Sequence, residues 1–274
     1  LERMLAAARA ADADVVLTPE LSLTGYDLGD EAAHLALRLD PGSAPELAAL
    51  GVPASVVREL AALPGTLLLG MVERGPGGTP RNAMAALRAG RVSFLHRKLY
   101  LPTYGMFDEG RFFGAGERLE RLALPGGWRA GCLVCEDLWH PALPYIHAAA
   151  GAELLLIQAA APGRGVWAGP EEGGRFASWD AWVRIARTTA QLLGIYVALC
   201  NRVGVEGPIT FAGGSLVVAP DGEVVAAAGA GPETLRVELR ADEVARARRP
   251  YAHARDEDPR LVLRELARAV GEAP

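Results

Sequence analysis

NAMAALRAGRVSFLHRK, residues 82–98, decides the fold class. Its apolar residues alternate on either side of Ala89-Gly90, and a glycine between two such runs is a hairpin signal. The stretch reads as two strands joined by a tight turn and ending on Lys98. Upstream, TLLLGMVER (66–74) reads as a buried strand and GPGGTPRN as a turn. Residues 1–13 look helical, ADVVL (13–17) is a short apolar strand running into Thr18-Pro19-Glu20, and helices are expected over 30–39 and 53–63. Downstream, strands are expected at 119–124 and 129–135, a helix over 140–150 and a strand over 153–158. An amphipathic helix over 178–193 breaks at Gly194, IYVALCNRVG follows as a strand, and GGSLVVAPDGEVVAAAG turns back at Pro220-Asp221-Gly222. TLRVELR is expected as a further strand, and a helical tail covers 259–270. Strands and helices mix throughout, but several strands are hairpin partners. An α/β sandwich with mixed sheets follows, rather than a strictly parallel dinucleotide-binding sheet.

With 274 residues and 50% hydrophobic composition, the chain can bury a large core. No linker divides it, so 1–274 is expected to be a single domain. Its opening, LERMLAAARAADA, reads as the body of a helix with no strand before it, and a first strand is expected to be missing at the N-terminus. The net charge of −5 and the lack of an arginine cluster interleaved with aromatics argue against a nucleic-acid partner. The most apolar region, IHAAAGAELLLIQAAAP, is interrupted by His147, Glu153 and Gln158 before it reaches membrane-spanning length. Cys132, Cys135 and Cys200 cannot all pair within one chain, and no signal peptide is visible. A reducing, cytoplasmic setting is expected.

Among 28 Lys and Arg residues, Lys98 is the only lysine, with Arg97 directly beside it. The two types diverge where a compact point charge must approach a reacting atom, because guanidinium is a broad planar fork. Glu20 closes one apolar strand, Lys98 another, and Cys135 in GCLVCEDLWHP a third. Taken singly, each has an ordinary reading: Glu20 as a cap or solvent-facing acid, Cys135 as one more buried thiol. Taken together they make chemical sense. A carboxylate can take a thiol's proton as the sulfur attacks a carbonyl, and an ammonium with a backbone N–H can hold the oxyanion that forms. No metal site is expected: an extended strand points Cys132 and Cys135 to opposite faces, and only Cys200 remains. Cys132 and Cys200 read as core residues.

TPELSLTGY around Glu20, HRKLYLP around Lys98 and GCLVCEDLWHP around Cys135 resemble the three signatures of the nitrilase (carbon–nitrogen hydrolase) superfamily. The likeness extends to NRVG (201–204) and to the GGS at 213–215. The resemblance implies an αββα sandwich of two mixed sheets flanked by helices, a thioester mechanism without cofactor, and a homo-oligomer, usually a dimer. It implies Glu20 as general base, Lys98 as stabiliser of the tetrahedral intermediate, Cys135 as nucleophile, and Glu109 of FDEGRFF as a second glutamate orienting the lysine and water. KLYLPTYGMFDEGRFF and CEDLWHP are most similar to the glutamine-hydrolysing domain of the glutamine-dependent NAD synthetase group. There Tyr26, Tyr104, Glu136 and Trp139 match substrate-pocket positions, although the three aromatics also read as core residues. The chain departs from that group at IQAAAP (157–162), where alanines replace serines and a hydroxyl contact to the substrate is lost. The expected activity is therefore an amidase on a small linear amide, with glutamine or a related ω-amide as one substrate class. N-carbamoyl compounds or nitriles are the alternative substrates, and a non-catalytic dimeric binding scaffold is the alternative of another kind.

Other features carry less. GRGVWA (163–168) follows a strand as a dinucleotide loop would, but GPEEGG is no helix start, and GPGGTP lacks a P-loop's lysine and hydroxyl. Arg164, Trp167, Arg175 and Phe176 read either as surface-loop residues or as substrate contacts. His140 and His147, seven apart, are expected to share a helix face as polar packing residues.

Overall fold

The computed structural model describes residues 1–165, 176–250 and 253–272. In chain order it contains α1 (Glu2–Ala11), β1 (Val15–Leu17), α2 (Ala54–Ala61), β2 (Thr66–Arg74), β3 (Pro80–Arg88) and β4 (Arg91–Arg97). Then come α3 (Glu109–Phe112), β5 (Arg121–Ala123), β6 (Arg129–Val134), α4 (Ala142–Ala149), β7 (Leu154–Ala159), α5 (Ala177–Leu193) and β8 (Tyr196–Asn201). Strands β9 (Val203–Glu206), β10 (Ile209–Ala212), β11 (Leu216–Val218) and β12 (Val224–Ala227) precede α6 (Ala241–Arg248), α7 (His253–Asp256) and α8 (Pro259–Ala269).

Two mixed sheets form the centre. The first runs β1-β2-β3-β4, the second β12-β11-β8-β7-β6-β5, and β9 and β10 pair separately. Strands β1 and β2 are parallel, as are β6, β7 and β8; the remaining pairs are antiparallel. The hairpin at 82–98 forms as its sequence predicts, with Ala89 at φ 47° and Gly90 at φ 71°. Positive φ at both central residues suits a two-residue turn whose twist matches the strands it joins.

Why the sheets are sandwiched follows from the strands' composition. Leu67, Leu69, Ala85 and Leu87 pack with Leu5 of α1 and with Val56 and Leu60 of α2. From the same strands, Leu68, Met84 and Ala86 join Leu154, Leu156 and Val134 of the second sheet. Gln158 also crosses between sheets, its Nε2 donating to Leu68 O at 3.2 Å. Trp179, Trp182, Ala186 and Ala190 of α5 close the far side. Strands covered on both faces need continuous rather than alternating apolar sequence, and eight of the nine residues of β2 are buried. The architecture is the αββα sandwich.

Several expectations are corrected. Residues 30–39 do not form a helix: a 3₁₀ turn covers Gly29–Ala33, and Leu37 then pairs with the end of β2. Its N–H bonds Val72 O at 3.0 Å and its carbonyl accepts Arg74 N–H at 2.7 Å, which withdraws that backbone from any helix. IYVALCNRVG is two strands, because Arg202 N–H turns to Ala159 O and β9 pairs with β10. TLRVELR is not a strand. Leu235, Val237 and Leu239 are half-buried and their neighbours exposed, so the alternation is real, but the backbone makes no ladder. His140 and His147 do not share a helix face: His140 precedes α4 and stacks on Tyr100, whereas His147 is buried with Nε2 3.4 Å from Cys132 O. Trp167 and Arg175 lie outside the described residues. Among the described residues, no helix is long and apolar enough to cross a membrane.

Candidate active site

Three strand ends meet at one buried cluster. Glu20 lies just beyond β1, Lys98 just beyond β4 and Cys135 just beyond β6. Glu20 and Lys98 are 0% and 1% exposed, Cys135 6%. The turn bearing Glu20 is pressed onto β2: Thr18 Oγ1 donates to Leu68 O at 2.8 Å and Leu23 N–H to Gly70 O at 2.9 Å. Only glycine fits at position 70, since a Cβ there would sit 2.3 Å from Leu21 N and 2.6 Å from Pro19 O. Lys98 is held by the ladder, its N–H donating to Asn82 O at 2.9 Å.

Cys135 opens a 3₁₀ turn, Cys135–Trp139, with φ at 48°. A non-glycine residue held in left-handed backbone costs about 1–3 kcal/mol and persists only where the surroundings fix it. Here the Asp137 carboxylate does so, accepting Val134 N–H at 3.0 Å across the Cys135 position.

Lys98 Nζ lies 2.8 Å from Glu20 Oε1 and 2.8 Å from Glu109 Oε1. Glu20 Oε1 also accepts Asn82 Nδ2 at 2.7 Å, and its Oε2 accepts Ala160 N–H at 2.9 Å. The Cys135 thiol lies close enough to this cluster to feel the charges of Glu20, Lys98 and Glu109 and the Ala160 N–H. Tyr26 donates its hydroxyl to Glu109 Oε1 at 2.6 Å. All four expected catalytic positions therefore converge.

Electrostatics assign the protons. Burial alone would push the Lys98 ammonium down, but the Glu109 and Glu20 carboxylates outweigh it and hold lysine well above its ordinary value. The Cys135 thiol is pushed well up by burial and by Glu20, against the pull of Lys98 and of the Ala160 N–H. Burial also raises Glu109, opposed by Lys98. At rest the site holds an ammonium and a neutral thiol.

Tyr104, 54% exposed, donates to Glu136 Oε2 at 2.9 Å, and burial together with Glu136 pushes its hydroxyl up to about 12. Trp139 stands edge-on to Trp182 with ring centres 5.4 Å apart, and Tyr26 edge-on to Phe211 at 6.0 Å. Of the loop candidates, Arg164 is exposed with its guanidinium 5.3 Å from the Phe107 ring centre, whereas Phe176 packs on the core.

The sequence reading passed over Asn82, Asp137 and the Ala160 N–H. A polar residue inside a buried apolar strand was the available signal for Asn82; a backbone donor leaves none. Arg202 and Glu206 were missed as well. Arg202 donates to the carbonyls of Glu20 and Leu21 at 3.4 and 3.3 Å, pairs with Glu206, and Glu206 Oε2 accepts Tyr26 N–H at 2.8 Å. They brace the Glu20 turn from behind. Among the described residues, no group of three or more His, Cys, Asp or Glu side chains is arranged to hold a metal ion.

The sequence profile of the carbon–nitrogen hydrolase family matches residues 1–249. A glutamine-dependent NAD(+) synthetase from Xanthomonas campestris is 33% identical over 232 residues, 84% of this chain and 38% of that protein. The chain thus spans less than two fifths of the length of the NAD synthetases it matches. A carbon–nitrogen hydrolase from Helicobacter pylori superposes with a TM-score of 0.77 at 25% identity, covering 93% of this chain and 88% of that one. A variant of a Nesterenkonia amidase, its structure showing Michael addition of acrylamide at the active-site cysteine, superposes with a TM-score of 0.67 at 28% identity. That match covers 91% of this chain and 89% of the amidase.

Proposed function

This chain belongs to the carbon–nitrogen hydrolase family, and from that premise we propose that it hydrolyses a small linear amide through a thioester on Cys135. Glu20 takes the thiol proton as the sulfur attacks the amide carbon. Lys98 Nζ and the Glu136 backbone N–H hold the oxyanion, and Glu20 passes its proton to the leaving nitrogen, releasing ammonia or an amine. Glu20 then deprotonates a water that attacks the thioester carbon, and the proton returns to the departing sulfur. Glu109, held by Tyr26, fixes the ammonium. One amide and one water become one acid and one ammonia or amine, with no cofactor.

The observation carrying this reading is the ammonium bridging Glu20 and Glu109 at 2.8 Å each, beside a buried thiol that feels the charges of all three. Without a base, a thiol raised by burial would be a poor nucleophile; with the Glu20 carboxylate nearby it need not ionise first.

Charges near Tyr104 narrow the substrate class. Glu136 accepts the Tyr104 hydroxyl and Arg164 lies close enough to act on it, a pair of opposite charges that favours the ω-amide of an amino acid, glutamine among them. Ala159 and Ala161 stand in IQAAAP where the glutaminase group has hydroxyls; a hydrogen bond to a charged substrate group is worth about 1.5–3 kcal/mol, enough to change preference. The 1–274 span is read as one hydrolase domain acting in the cytoplasm. Self-association belongs to the same reading, supported by Leu261, Leu263, Leu266 and Val270, exposed on or just beyond α8.

The test is a panel of amides, ureides and nitriles assayed for released ammonia, with mass spectrometry for an acyl adduct on Cys135. Turnover on amides with that adduct is the expected result. Full turnover by Cys135→Ala sinks the reading, and turnover confined to nitriles or ureides moves the substrate to those classes.

A further inference from the structure

Lys98 and Cys135 hang from different sheets, and neither sheet's ladder fixes the other's strand ends. One side chain spans the gap. Asp137 Oδ1 accepts the N–H groups of Leu99 and Tyr100 at 3.0 and 2.9 Å, the two residues that follow Lys98. Its Oδ2 accepts Val134 N–H at 3.0 Å, the residue before Cys135, and faces His96 Nε2 at 3.4 Å. Asp137 and His96 are both 0% exposed. No arginine or lysine pairs with this carboxylate among the described residues, and Lys98 spends its contacts on Glu20 and Glu109. A buried carboxylate satisfied mainly by three backbone donors, on two chain segments either side of the reacting groups, is built to hold those segments together.

We propose that Asp137 is a positioning residue: it locks the Lys98 ammonium in register with the Cys135 sulfur across the two sheets and keeps the nucleophile in its left-handed backbone. It touches no substrate. The inference rests on the proposed hydrolysis, because register between ammonium and sulfur matters only where both address one carbonyl. A simple structural cap would lose stability when removed but leave each folded molecule equally reactive. A register lock loses reactivity per folded molecule.

Asp137→Asn decides between them. Asparagine offers one acceptor oxygen where aspartate has two, and sets an NH₂ against at least one of the three backbone donors. Leu60→Ala, in the α2 layer remote from the site, is the comparison, since it lowers stability by opening a cavity. Turnover, KM and the rate of Cys135 alkylation by acrylamide are measured per folded molecule for both variants. For Asp137→Asn we expect kcat and the alkylation rate to fall together by about 100-fold, the order associated with a 1 Å misplacement, with KM little changed. Leu60→Ala should lose melting temperature but keep kcat. Asp137→Asn with wild-type kcat and alkylation per folded molecule overturns the positioning role alone. A wild-type protein that neither turns over amides nor alkylates at Cys135 overturns the hydrolytic reading and this role with it.

Discussion

Replacing Lys98 by arginine keeps the charge and tests whether the site needs a lysine. Lys98 is 1% exposed and its Nζ already sits 2.8 Å from two carboxylate oxygens, so the larger guanidinium has no free volume to enter. Overpacking of this kind costs about 1–3 kcal/mol. At about 2–4 °C per kcal/mol for a chain of this size, the melting temperature should fall by a few degrees to about 10 °C. The chemical cost should be larger. The fork can satisfy Glu20 and Glu109, but a planar group tied to both cannot also present a point charge to the oxyanion, and loss of one such donor costs about 10²–10³ in kcat. Lys98→Met makes the contrast: it leaves Glu20 and Glu109 facing each other unpaired, and breaking a buried ion pair costs about 3–5 kcal/mol. Ammonia release at saturating substrate gives kcat, and differential scanning fluorimetry gives the melting temperature. Lys98→Arg should fold and be nearly inactive, Lys98→Met should be both unstable and inactive. A folded Lys98→Arg protein turning over at the wild-type rate would refute the reasoning, and the lone lysine would be an accident of composition.

Acrylamide or iodoacetamide should label Cys135 ahead of Cys132 and Cys200, and Glu20→Gln should slow that labelling; peptide mapping showing Cys200 labelled first contradicts the base assignment. Gly70→Ala should destabilise by about 1–3 kcal/mol and lower kcat at the same time, because the added Cβ meets backbone at Leu21 and Pro19 and shifts the Glu20 turn; thermal melts and kinetics on one preparation would show a silent substitution if the contact is wrong. The Lys98 ammonium is held above its ordinary value in the fold, so the stability it contributes is complete below the ordinary lysine range and is lost only as pH rises through the higher folded value. Activity should accordingly show no lysine-dependent alkaline limb within the ordinary range, and Glu109→Gln should bring that limb to lower pH; a limb that Glu109→Gln leaves unmoved would contradict the pairing. Arg164→Ala should raise KM for amino-acid ω-amides more than for neutral amides of equal length, read from a paired substrate series.

The strand ends were legible because apolar runs and turn residues are local signals. ADVVL runs on to Glu20, VSFLHR to Lys98 and GCLVC to Cys135, residues whose chemistry stands out after an apolar run, and all three ends come together in the fold. The partners that hold them were not legible, since they act across long separations. Asp137 reaches Leu99 across 38 positions, and Ala160 reaches Glu20 across 140. TLRVELR failed for the opposite reason: alternation reports which side chains face the core, and a ladder needs a neighbouring backbone that this segment lacks. Residues 30–39 failed because pairing with the end of β2 overrode a helical pattern. Local pattern located the reactive groups; tertiary contacts alone determine how they are aligned.

Burial raises all three thiols: Cys200 up to about 12, Cys132 further still, and Cys135 well above the ordinary value with Glu20 adding to the effect. A search for a reactive cysteine by a lowered thiol pKa would therefore miss Cys135. Burial and the neighbouring Glu20 oppose a free thiolate at Cys135, which would place negative charge in a buried site beside two glutamates. The proton can leave the sulfur cheaply only by neutralising Glu20, and the sulfur's new charge is relieved only as it bonds to carbon and passes that charge to an oxygen beside Lys98. Proton transfer and attack are thus tied to the presence of an acyl group. Such a site would be quiet toward soluble oxidants at rest and reactive toward substrates and amide reagents whose carbonyl fits beside Lys98, a selectivity that a pre-formed thiolate would not have.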